Sequence, residues 1–193
     1  MTEQDTTLWQ LFREGDRQAF EALLRAYYRP LFDYGSKFLN DRELLKDCVH
    51  DLFVSLWERR AFLGPVVNLR VYLFTALRNR IFQQYQKNTI FVNLPDEWED
   101  NQSASGNYIE NRIIEDETDA ATRAHLHKTI SRLSQRQQEV IHLKFFENLT
   151  NEQIALVLNI SRPAATNLLS LALKSVREQW GPLFLFLYFF THL

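Results

Sequence analysis

The chain has 193 residues, of which 46% are hydrophobic, and it contains only five glycines, five prolines and one cysteine. The single cysteine excludes an internal disulfide, and with an N-terminus that lacks the basic-then-apolar order of a signal peptide it predicts a cytoplasmic protein. The formal net charge of −2 is unusual for a protein that binds DNA unaided, and no apolar run approaches the roughly 20 residues of a membrane span.

The first part of the chain predicts helices almost throughout. Apolar pairs recur there at steps of three to four residues, the period of a helix with one buried face, at Ala19-Phe20, Leu23-Leu24, Tyr27-Tyr28 and Leu31-Phe32. Pro30 falls inside this run and predicts a kink or a break, because proline lacks a backbone donor and clashes with the preceding turn.

A second helix is predicted over residues 42–58, and its faces differ in chemistry. The inward stripe consists of Leu45, Cys48, Val49, Leu52 and Leu56. On another face Asp47 and Asp51 lie one turn apart, and Phe53 and Trp57 are paired in the same way beside them. Carboxylate pairs usually belong to a solvated surface and aromatic pairs to the core, so the helix alone does not establish a contact surface.

The next predicted helix follows a Gly64-Pro65 turn and is both basic and aromatic. Its sequence LRVYLFTALRNRIFQQYQK has no acidic residue, and its cations and rings are Arg70, Tyr72, Phe74, Arg78, Arg80, Phe82, Tyr85 and Lys87. Binding of single-stranded DNA requires cations that follow phosphates and rings that stack on exposed bases. An amphipathic helix with buried rings and solvated arginines fits the sequence equally well.

An acidic segment separates this part from the rest of the chain. Residues 88–122 contain nine acidic residues against Arg112 alone, and the stretch NQSASGN within them is a poor core former. We therefore predict a helical domain over residues 1–90, an acidic linker over residues 91–122, a second helical domain over residues 123–180 and an apolar tail over residues 181–193. The acidic segment can also be interpreted simply as a solvated tether.

The second domain contains three successive helix starts. Ser134 and Thr150 each begin a Ser/Thr-x-x-Gln capping box, and Ser161 precedes Arg162-Pro163, where proline suits a first helical turn. The last two helices are joined by residues 158–161 and have the spacing of a helix-turn-helix, although an ordinary helical hairpin shows the same pattern.

The last of these helices has one apolar and one mostly polar face. A helical projection turns Ala165, Leu169, Ala172 and Val176 inward, and it turns Thr166, Asn167, Ser170, Leu171 and Lys174 outward. Asn167 can pair with an adenine edge, and Thr166 or Ser170 can reach bases or phosphates. The outward face therefore predicts contact with duplex DNA.

Taken in order, these segments resemble a bacterial RNA polymerase sigma factor of the extracytoplasmic-function group. The resemblance covers about residues 8–179 and is carried by LLKDCVHDLFVSLWERR, by LRVYLFTALRNR and, after the acidic linker, by LSQRQQEV and LTNEQIALVLNIS. It implies an all-α fold of two small helical domains and a function in transcription initiation. Core RNA polymerase would then supply much of the DNA-binding affinity that a chain with a net charge of −2 does not provide by itself.

The resemblance also implies roles for particular side chains. Polymerase binding, on the clamp of the β′ subunit, would involve Asp47, Asp51, Phe53 and Trp57. The loop over residues 61–69 would capture a base flipped from the melted −10 element, and contacts to this part of the promoter would come from Asn68, Arg70, Tyr72, Phe74, Arg78, Asn79 and Arg80. The second domain would lie near the β flap and bind the −35 element through Arg162, Thr166, Asn167, Ser170 and Lys174. An anti-sigma factor is a further partner that the resemblance allows.

Two features depart from the pattern of the group. Leu168 and Leu171 stand on the recognition helix where charge is more usual, which weakens the expectation of strong −35 binding. The tail is apolar from Leu183 to Phe190, and we predict that it folds back onto the second domain and covers the groups near these two leucines. Completion of the domain core, or pairing with another chain, is the competing interpretation of the tail.

Other chemistry has little support in the sequence. His125 and His127 diverge on a helix, no cysteine or carboxylate completes a metal set with them, and no phosphate loop or nucleophile motif occurs. We therefore predict no enzyme, no cofactor and no metal. Two alternatives to a sigma factor stay open: a stand-alone helix-turn-helix regulator that binds duplex DNA without polymerase, and a helical interaction protein with weakened DNA binding.

Overall fold

The computed structural model describes residues 3–88 and 129–180, and every regular element within these two ranges is helical. The first range contains α1 (Glu3–Arg13), α2 (Arg17–Gly35), α3 (Arg42–Arg59), a 3₁₀ turn (Arg60–Phe62) and α4 (Leu69–Asn88). The second contains α5 (Gln135–Ile141), a π turn (His142–Phe146), α6 (Asn151–Leu158) and α7 (Arg162–Trp180). The predicted all-α fold is thus confirmed, whereas the predicted linker and the apolar tail lie outside the described residues.

Helices α2 and α3 begin at aspartate caps and pack closely on each other. The carboxylate of Asp16 accepts hydrogen bonds from two backbone N–H groups of the first turn of α2, and Asp41 caps α3 in the same way. Each aspartate thereby satisfies donors that the start of a helix leaves unpaired. A Cβ on Gly35 would collide with the side chain of Leu45, so the glycine is what allows the two helices to approach here.

Helix α2 runs without interruption through Pro30, so the predicted break does not occur. Proline leaves the carbonyl of Ala26 without its helical donor. Ala26 is exposed, and water can hydrate that carbonyl. The opposite side of the helix contributes Leu23, Tyr27 and Leu31 to the core, and this burial favours the continuous helix over a broken one.

Helices α1, α3 and α4 complete the core of the first part. All five residues of the predicted inward stripe of α3 are buried. Helix α4 buries Leu69, Val71, Leu73, Phe74, Leu77 and Ile81. From α1, Trp9 and Phe12 are buried with their ring centroids 5.2 Å apart, and α1 contacts α2, α4 and the 3₁₀ turn.

The second part begins its helices where the sequence predicts. Ser134 and Thr150 each form a complete capping box, and the hydroxyl of Ser161 accepts a hydrogen bond from a backbone N–H in the first turn of α7. Asn159 ends α6 in the left-handed conformation, with φ of 54°, and the direction of the helix axis changes by 101° between α6 and α7. This crossing is typical of a helix-turn-helix. The predicted inward stripe of α7 is buried throughout, at Ala165, Leu169, Ala172 and Val176.

The two parts of the molecule pack against each other. Helix α6 lies against α4, and the buried apolar side chains of both parts form one continuous cluster. At the edge of this contact Gln135 Nε2 donates a hydrogen bond to the carbonyl of Lys37, with nitrogen and oxygen 3.3 Å apart. The first and second parts therefore share a core.

Within the two described ranges, no single helix is both long and apolar enough to span a membrane, although α6 and α7 meet that requirement when the bent pair is counted together. The same ranges hold no group of three His, Cys, Asp or Glu residues that could bind a metal ion. Cys48 has a free thiol that is buried, and burial raises its pKa.

Candidate functional site

The outer face of α3 carries the two predicted carboxylates. Asp47 and Asp51 are both exposed, one turn apart on the side of the helix that faces away from the core. Asp51 forms an ion pair, with its Oδ2 3.2 Å from Nη1 of Arg80. Arg80 also donates a hydrogen bond to the hydroxyl of Ser55 at 2.7 Å. Asp51, which was predicted to contact polymerase, and Arg80, which was predicted to contact DNA, are thus bound to each other.

The two aromatic residues beside these carboxylates lie deeper than a contact surface requires. Phe53 is buried, and its ring meets that of Phe20 edge-on with centroids 6.4 Å apart. Trp57 is half-buried, with the Phe20 ring 4.9 Å away and the guanidinium of Arg60 4.3 Å above its own ring. Phe53 is therefore a core residue that supports α3 from beneath, and only Trp57 retains surface for a partner.

The loop between α3 and α4 has an exposed apolar edge and a fixed base. Phe62 and Val67 are 88% and 93% exposed, although apolar side chains are usually covered. The base is held by Trp9, whose Nε1 donates to the carbonyl of Gly64 at 3.1 Å. A cavity of about 270 Å³ lies between α1 and this loop, and Arg13, Ala61, Pro65 and Val66 are among the residues that line it.

Asn68, which was predicted to contact DNA, also has a structural role as a helix cap. Its side-chain oxygen accepts a hydrogen bond from the backbone N–H of Val71 at 3.0 Å, which is the bond of a helix N-cap. Asn68 therefore starts α4, and its amide NH₂ group can still donate to another partner. The signal was present in the sequence, because asparagine immediately before an apolar-periodic run is a typical N-cap.

The arginines of α4 are engaged by carboxylates. Arg70 Nη1 lies 2.7 Å from Oε2 of Glu147, and Arg78 Nε lies 2.9 Å from Oε1 of Glu139. Both glutamates belong to the second part of the chain, and both are buried. Two of the cations predicted to follow DNA phosphates, Arg70 and Arg78, are thus paired with carboxylates across the contact between the two parts.

The aromatic residues of α4 divide between the core and the surface. Phe74 is fully buried and meets the ring of Tyr34 edge-on, with centroids 5.0 Å apart. It has no face open to a base, so the structure makes Phe74 a core residue. Tyr72 is half-buried, 5.5 Å from the ring of Trp9, and burial raises the pKa of its hydroxyl. Asn79 is exposed on the outer side of the helix.

A buried polar cluster joins the two parts of the chain. The hydroxyl of Tyr34 donates to Oε1 of Glu139 at 2.5 Å, and the same oxygen accepts from Arg78. Glu139 is 1% exposed, and burial raises its pKa although Arg78 and Tyr34 lower it. Burial and the neighbouring Glu139 carboxylate raise the pKa of Tyr34 well above its ordinary value. A buried carboxylate is costly unless it is paired. The partners of Glu139 therefore favour the observed packing of the two parts over arrangements that would leave this carboxylate buried and unpaired.

The outward residues of α7 lie at the surface as predicted. Asn167, Ser170 and Lys174 are exposed, and Lys174 Nζ is 3.9 Å from the carboxylate of Glu178, on the same helix. Leu171 is 52% exposed, while Leu168 is half-buried. This face is polar with one exposed apolar side chain, that of Leu171.

The start of α7 is held by side chains of α6 and its cap. Arg162 Nε pairs with Glu152 Oε1 at 2.7 Å, on the surface. The hydroxyl of Thr166 donates to the Arg162 carbonyl and accepts from Asn151 Nδ2, both at 3.1 Å. Arg162 and Thr166 therefore help to fix the angle between the two helices. A ligand that contacts either residue would have to compete with these existing bonds.

Two family models match the chain, each over one of its two parts. Sigma-70 region 2 matches residues 23–90, and Sigma-70 region 4 matches residues 123–176. The chain carries a Sigma-70 region 2 and a Sigma-70 region 4. We use region 2 for the described residues 3–88 and region 4 for the described residues 129–180.

Solved structures share this fold. CnrH in complex with the cytosolic domain of CnrY has a TM-score of 0.61 at 20% identity, and the match covers 90% of this chain and 95% of that chain. The sigma factor RpoE from Bartonella quintana, in complex with the anti-sigma factor NepR, has a TM-score of 0.60 at 22% identity, covering 83% and 96%. No curated protein matches the sequence. At these identities the likeness shows a common fold.

Sequence reasoning missed the residues that join region 2 to region 4. Tyr34, Glu139 and Glu147 carry no motif, and their partners are 61 to 105 positions away along the chain. One signal was available: Glu139 stands directly before the apolar pair Val140-Ile141 on a short helix, where a buried carboxylate needs a distant partner.

Proposed function

We propose that the chain is a sigma factor that binds core RNA polymerase, directs it to specific promoters and assists strand opening. The observation that carries the proposal is the presence of region 2 and region 4 in one chain, in that order. A stand-alone helix-turn-helix regulator would need only the second of them. Such a protein acts in the cytoplasm with the polymerase, which performs the chemistry, and it is not itself an enzyme.

The geometry of region 4 supports recognition of duplex DNA. A helix-turn-helix places its second helix in the major groove, and α7 offers Asn167, Ser170 and Lys174 on an exposed face for that purpose. Asparagine can pair with an adenine edge, whereas lysine contacts phosphate or guanine. We therefore propose that this face binds the −35 element, with Arg162 and Thr166 at its rim.

The outer face of α3 supports the proposed contact with the β′ clamp. Asp47 and Asp51 are exposed on it, Trp57 lies to one side of them and is only half-buried, and Phe53 stabilises the helix from the core side. Because Asp51 also holds Arg80, a variant at that position changes region 2 itself. Asp47 is exposed and is therefore the cleaner position to test.

The decisive experiment is capture of core polymerase by charge-reversed variants. We expect Asp47→Arg to fold normally and to lose about 2–5 kcal/mol of binding free energy, because reversal of a charge at a desolvated interface places like charges together. Asp51→Arg should lose at least as much. Binding is measured by fluorescence anisotropy of the labelled chain titrated with core polymerase.

A matched control is the reversal Glu21→Arg, which also lies on an exposed helical surface of region 2 but on α2. It should leave polymerase binding within about 0.5 kcal/mol of the unaltered chain. If folded Asp47→Arg and Asp51→Arg bind polymerase as tightly as the control does, the α3 face is not the docking surface.

Transcription assays separate the sigma factor from its alternatives. With core polymerase present, the chain should start transcription from particular promoters on duplex templates and also on templates with a pre-opened bubble. A stand-alone regulator would bind duplex promoters without polymerase and would not support initiation. A helical interaction protein with weakened DNA binding would do neither, even if it captured the polymerase.

We further propose that an anti-sigma factor regulates the chain. CnrH and RpoE, which share its fold, were each solved with a bound partner, and that of RpoE is an anti-sigma factor. A true anti-sigma factor, added to the reconstituted system, should abolish both capture of core polymerase and promoter-directed initiation. A protein that binds the chain without affecting either reaction does not fill this role.

A further inference from the structure

One side of α7 forms an uncharged stripe, which we call the Leu171 stripe. Its members are Ala164, Leu168, Leu171 and Ser175, which follow one another at steps of four, three and four residues and therefore share one side of the helix. Leu171 is 52% exposed and Ala164 is exposed, whereas Leu168 and Ser175 are half-buried. The stripe thus offers an apolar and uncharged surface about three turns long.

The Leu171 stripe adjoins two of the proposed DNA contacts. Asn167 precedes Leu171 by four positions and Lys174 follows it by three, so both are its neighbours on the helix surface. Lys174 Nζ lies 3.9 Å from Glu178 Oε1, which balances the charge beside the stripe. A segment that covers Leu171 therefore also covers part of the surface proposed for the −35 element.

The tail, residues 181–193, follows α7 directly and has a composition that suits this stripe. It contains no Asp, Glu, Lys or Arg, and every residue from Leu183 to Phe190 is aliphatic or aromatic. Proteins seldom leave a contiguous apolar surface of this kind in water. An uncharged apolar run and an uncharged apolar stripe are complementary, because neither has to desolvate an ionised group when they meet.

Leu171 lies within reach of the tail. It precedes Trp180, the last residue of α7, by nine positions, which correspond to about 14 Å along the helix axis. Eight residues span up to about 26 Å when extended, and the Gly181-Pro182 pair favours a change of chain direction before the apolar run. Because the tail is joined to α7 itself, its effective concentration is high at this helix.

We propose that residues 183–190 dock along the Leu171 stripe and act as an intramolecular brake on recognition of the −35 element. This inference rests on the proposed function, because it takes the outward face of α7 as the −35-binding surface. Docking covers Asn167 and Lys174 in part, and displacement of the tail frees them for DNA. The proposed polymerase contacts lie on α3, so the brake leaves capture of polymerase unchanged.

The first test locates the tail in the full chain. A photoreactive benzoylphenylalanine in place of Leu171 should form cross-links to residues 183–190, which are identified by mass spectrometry. A mixture of isotope-labelled and unlabelled chains distinguishes cross-links within one molecule, which we expect, from cross-links between two copies. Cross-links formed only between copies would overturn the proposal.

The matched control places the same photoreactive group at Leu156 of α6, which is 64% exposed. If the tail docks on α7 as proposed, the group at Leu171 captures it and the group at Leu156 does not. Capture from Leu156 without capture from Leu171 would place the tail elsewhere on region 4 and contradict the proposal.

The second test measures the brake itself. Deletion of residues 183–193 should tighten binding of the chain to a −35 duplex about tenfold, the gain expected if about nine-tenths of the unaltered molecules have the tail docked. The duplex is one selected from a random-sequence library by the deletion variant, and a scrambled duplex is the comparison. Unchanged or weaker binding by a folded, soluble deletion variant overturns the brake.

Substitutions within the tail guard against an effect of the deletion on folding. Phe184→Ser, Phe186→Ser and Phe189→Ser, combined in one full-length chain, keep the tail but remove three of its rings, so binding should again become tighter. The matched control combines Thr191→Ala with His192→Ala, which lie outside the apolar run, and should bind the duplex as the unaltered chain does. Equal affinities of these two variants count against docking through the apolar run.

Capture of core polymerase, measured in parallel, separates the brake from the proposed function. If every form of the chain captures polymerase and only the tenfold gain is missing, the brake alone is wrong. If no form captures polymerase or prefers any duplex to its scrambled version, the proposed function has failed and the brake fails with it.

A membrane role is the competing use of an apolar tail. Flotation of the full chain and of the deletion variant with vesicles of phosphatidylethanolamine and phosphatidylglycerol tests it. We expect neither form to float with the vesicles, because the run is occupied on α7. Flotation that depends on residues 183–193, together with no cross-link from Leu171, would assign the tail to lipid and overturn the proposal.

Discussion

Region 2 and region 4 present their functional side chains in opposite ways. In region 2, the three arginines expected on DNA already hold carboxylates, in the pairs Arg70–Glu147, Arg78–Glu139 and Arg80–Asp51. In region 4, the outward residues of α7 lie at the surface, and the ion pairs near them are exposed. The proposed DNA-contacting face of α7 is therefore exposed as it stands, whereas the arginines proposed to contact DNA in region 2 are already paired with carboxylates.

The aromatic residues show why the two regions differ. Region 2 is a bundle whose core is filled by large rings, and α4 supplies one of them, Phe74, to the contact with Tyr34. Region 4 fills the inner face of α7 with Ala165, Leu169, Ala172 and Val176, and its polar face has no part in the core. α7 therefore keeps its core residues and its proposed DNA contacts on opposite faces, whereas on α4 the buried ring of Phe74 was itself among the predicted DNA contacts.

Among the substitutions that test this difference between the regions, we expect the largest change in free energy from Phe74→Ala. Phe74→Ala should lower the free energy of unfolding by about 3–5 kcal/mol, because it removes a fully buried ring and leaves a cavity. Tyr72→Ala is the matched control and should cost less, since that ring is only half-buried. Denaturant unfolding followed by circular dichroism measures both. A folded Phe74→Ala variant that fails only on duplex templates, and not on pre-opened ones, would return this ring to the DNA contacts.

An intermediate effect is expected on the polar face of α7. Asn167→Ala should weaken binding of the holoenzyme to its preferred −35 sequence by about 1–3 kcal/mol, because a bidentate contact to a base is lost. Lys174→Ala should instead weaken all duplexes alike and reduce the salt dependence by about one phosphate contact. Anisotropy titrations at several salt concentrations, with a scrambled −35 duplex as the comparison, separate the two. Equal losses on both duplexes for Asn167→Ala would mean that region 4 does not identify bases through this residue.

The smallest effect tests whether the two regions unfold together. Asp41→Ala in region 2 and Thr150→Ala in region 4 should each lower the stability by about 1 kcal/mol, because each removes a helix cap. The continuous core and the buried Glu139 cluster lead us to expect that both variants shift one common thermal transition. Two separate transitions, each moved by only one of the variants, would show that the contact between the regions is too weak to couple them.

Local signals in the sequence predicted local structure well. The capping boxes at Ser134 and Thr150, the α3 stripe and the inward face of α7 are all confirmed, because each depends on residues within a few positions of one another. Pro30 shows the limit of such signals: its local penalty was outweighed by burial of the α2 residues around it. Asn68 shows another limit, since one side chain suited two roles and the structure uses it as a cap.

The sequence by itself determined that this chain is helical and that it has a helix-turn-helix near its end. It also determined which faces of α3 and α7 are apolar. These features could be predicted because helical periodicity and capping depend on residues only a few positions apart. Only the tertiary structure decided which cations are accessible and which rings are buried. Arg78 and Phe74 look like DNA contacts on α4 alone, yet one is paired with Glu139 and the other is packed against Tyr34. Those partners come from distant parts of the chain, and no pattern along α4 encodes which surfaces the rest of the fold will cover.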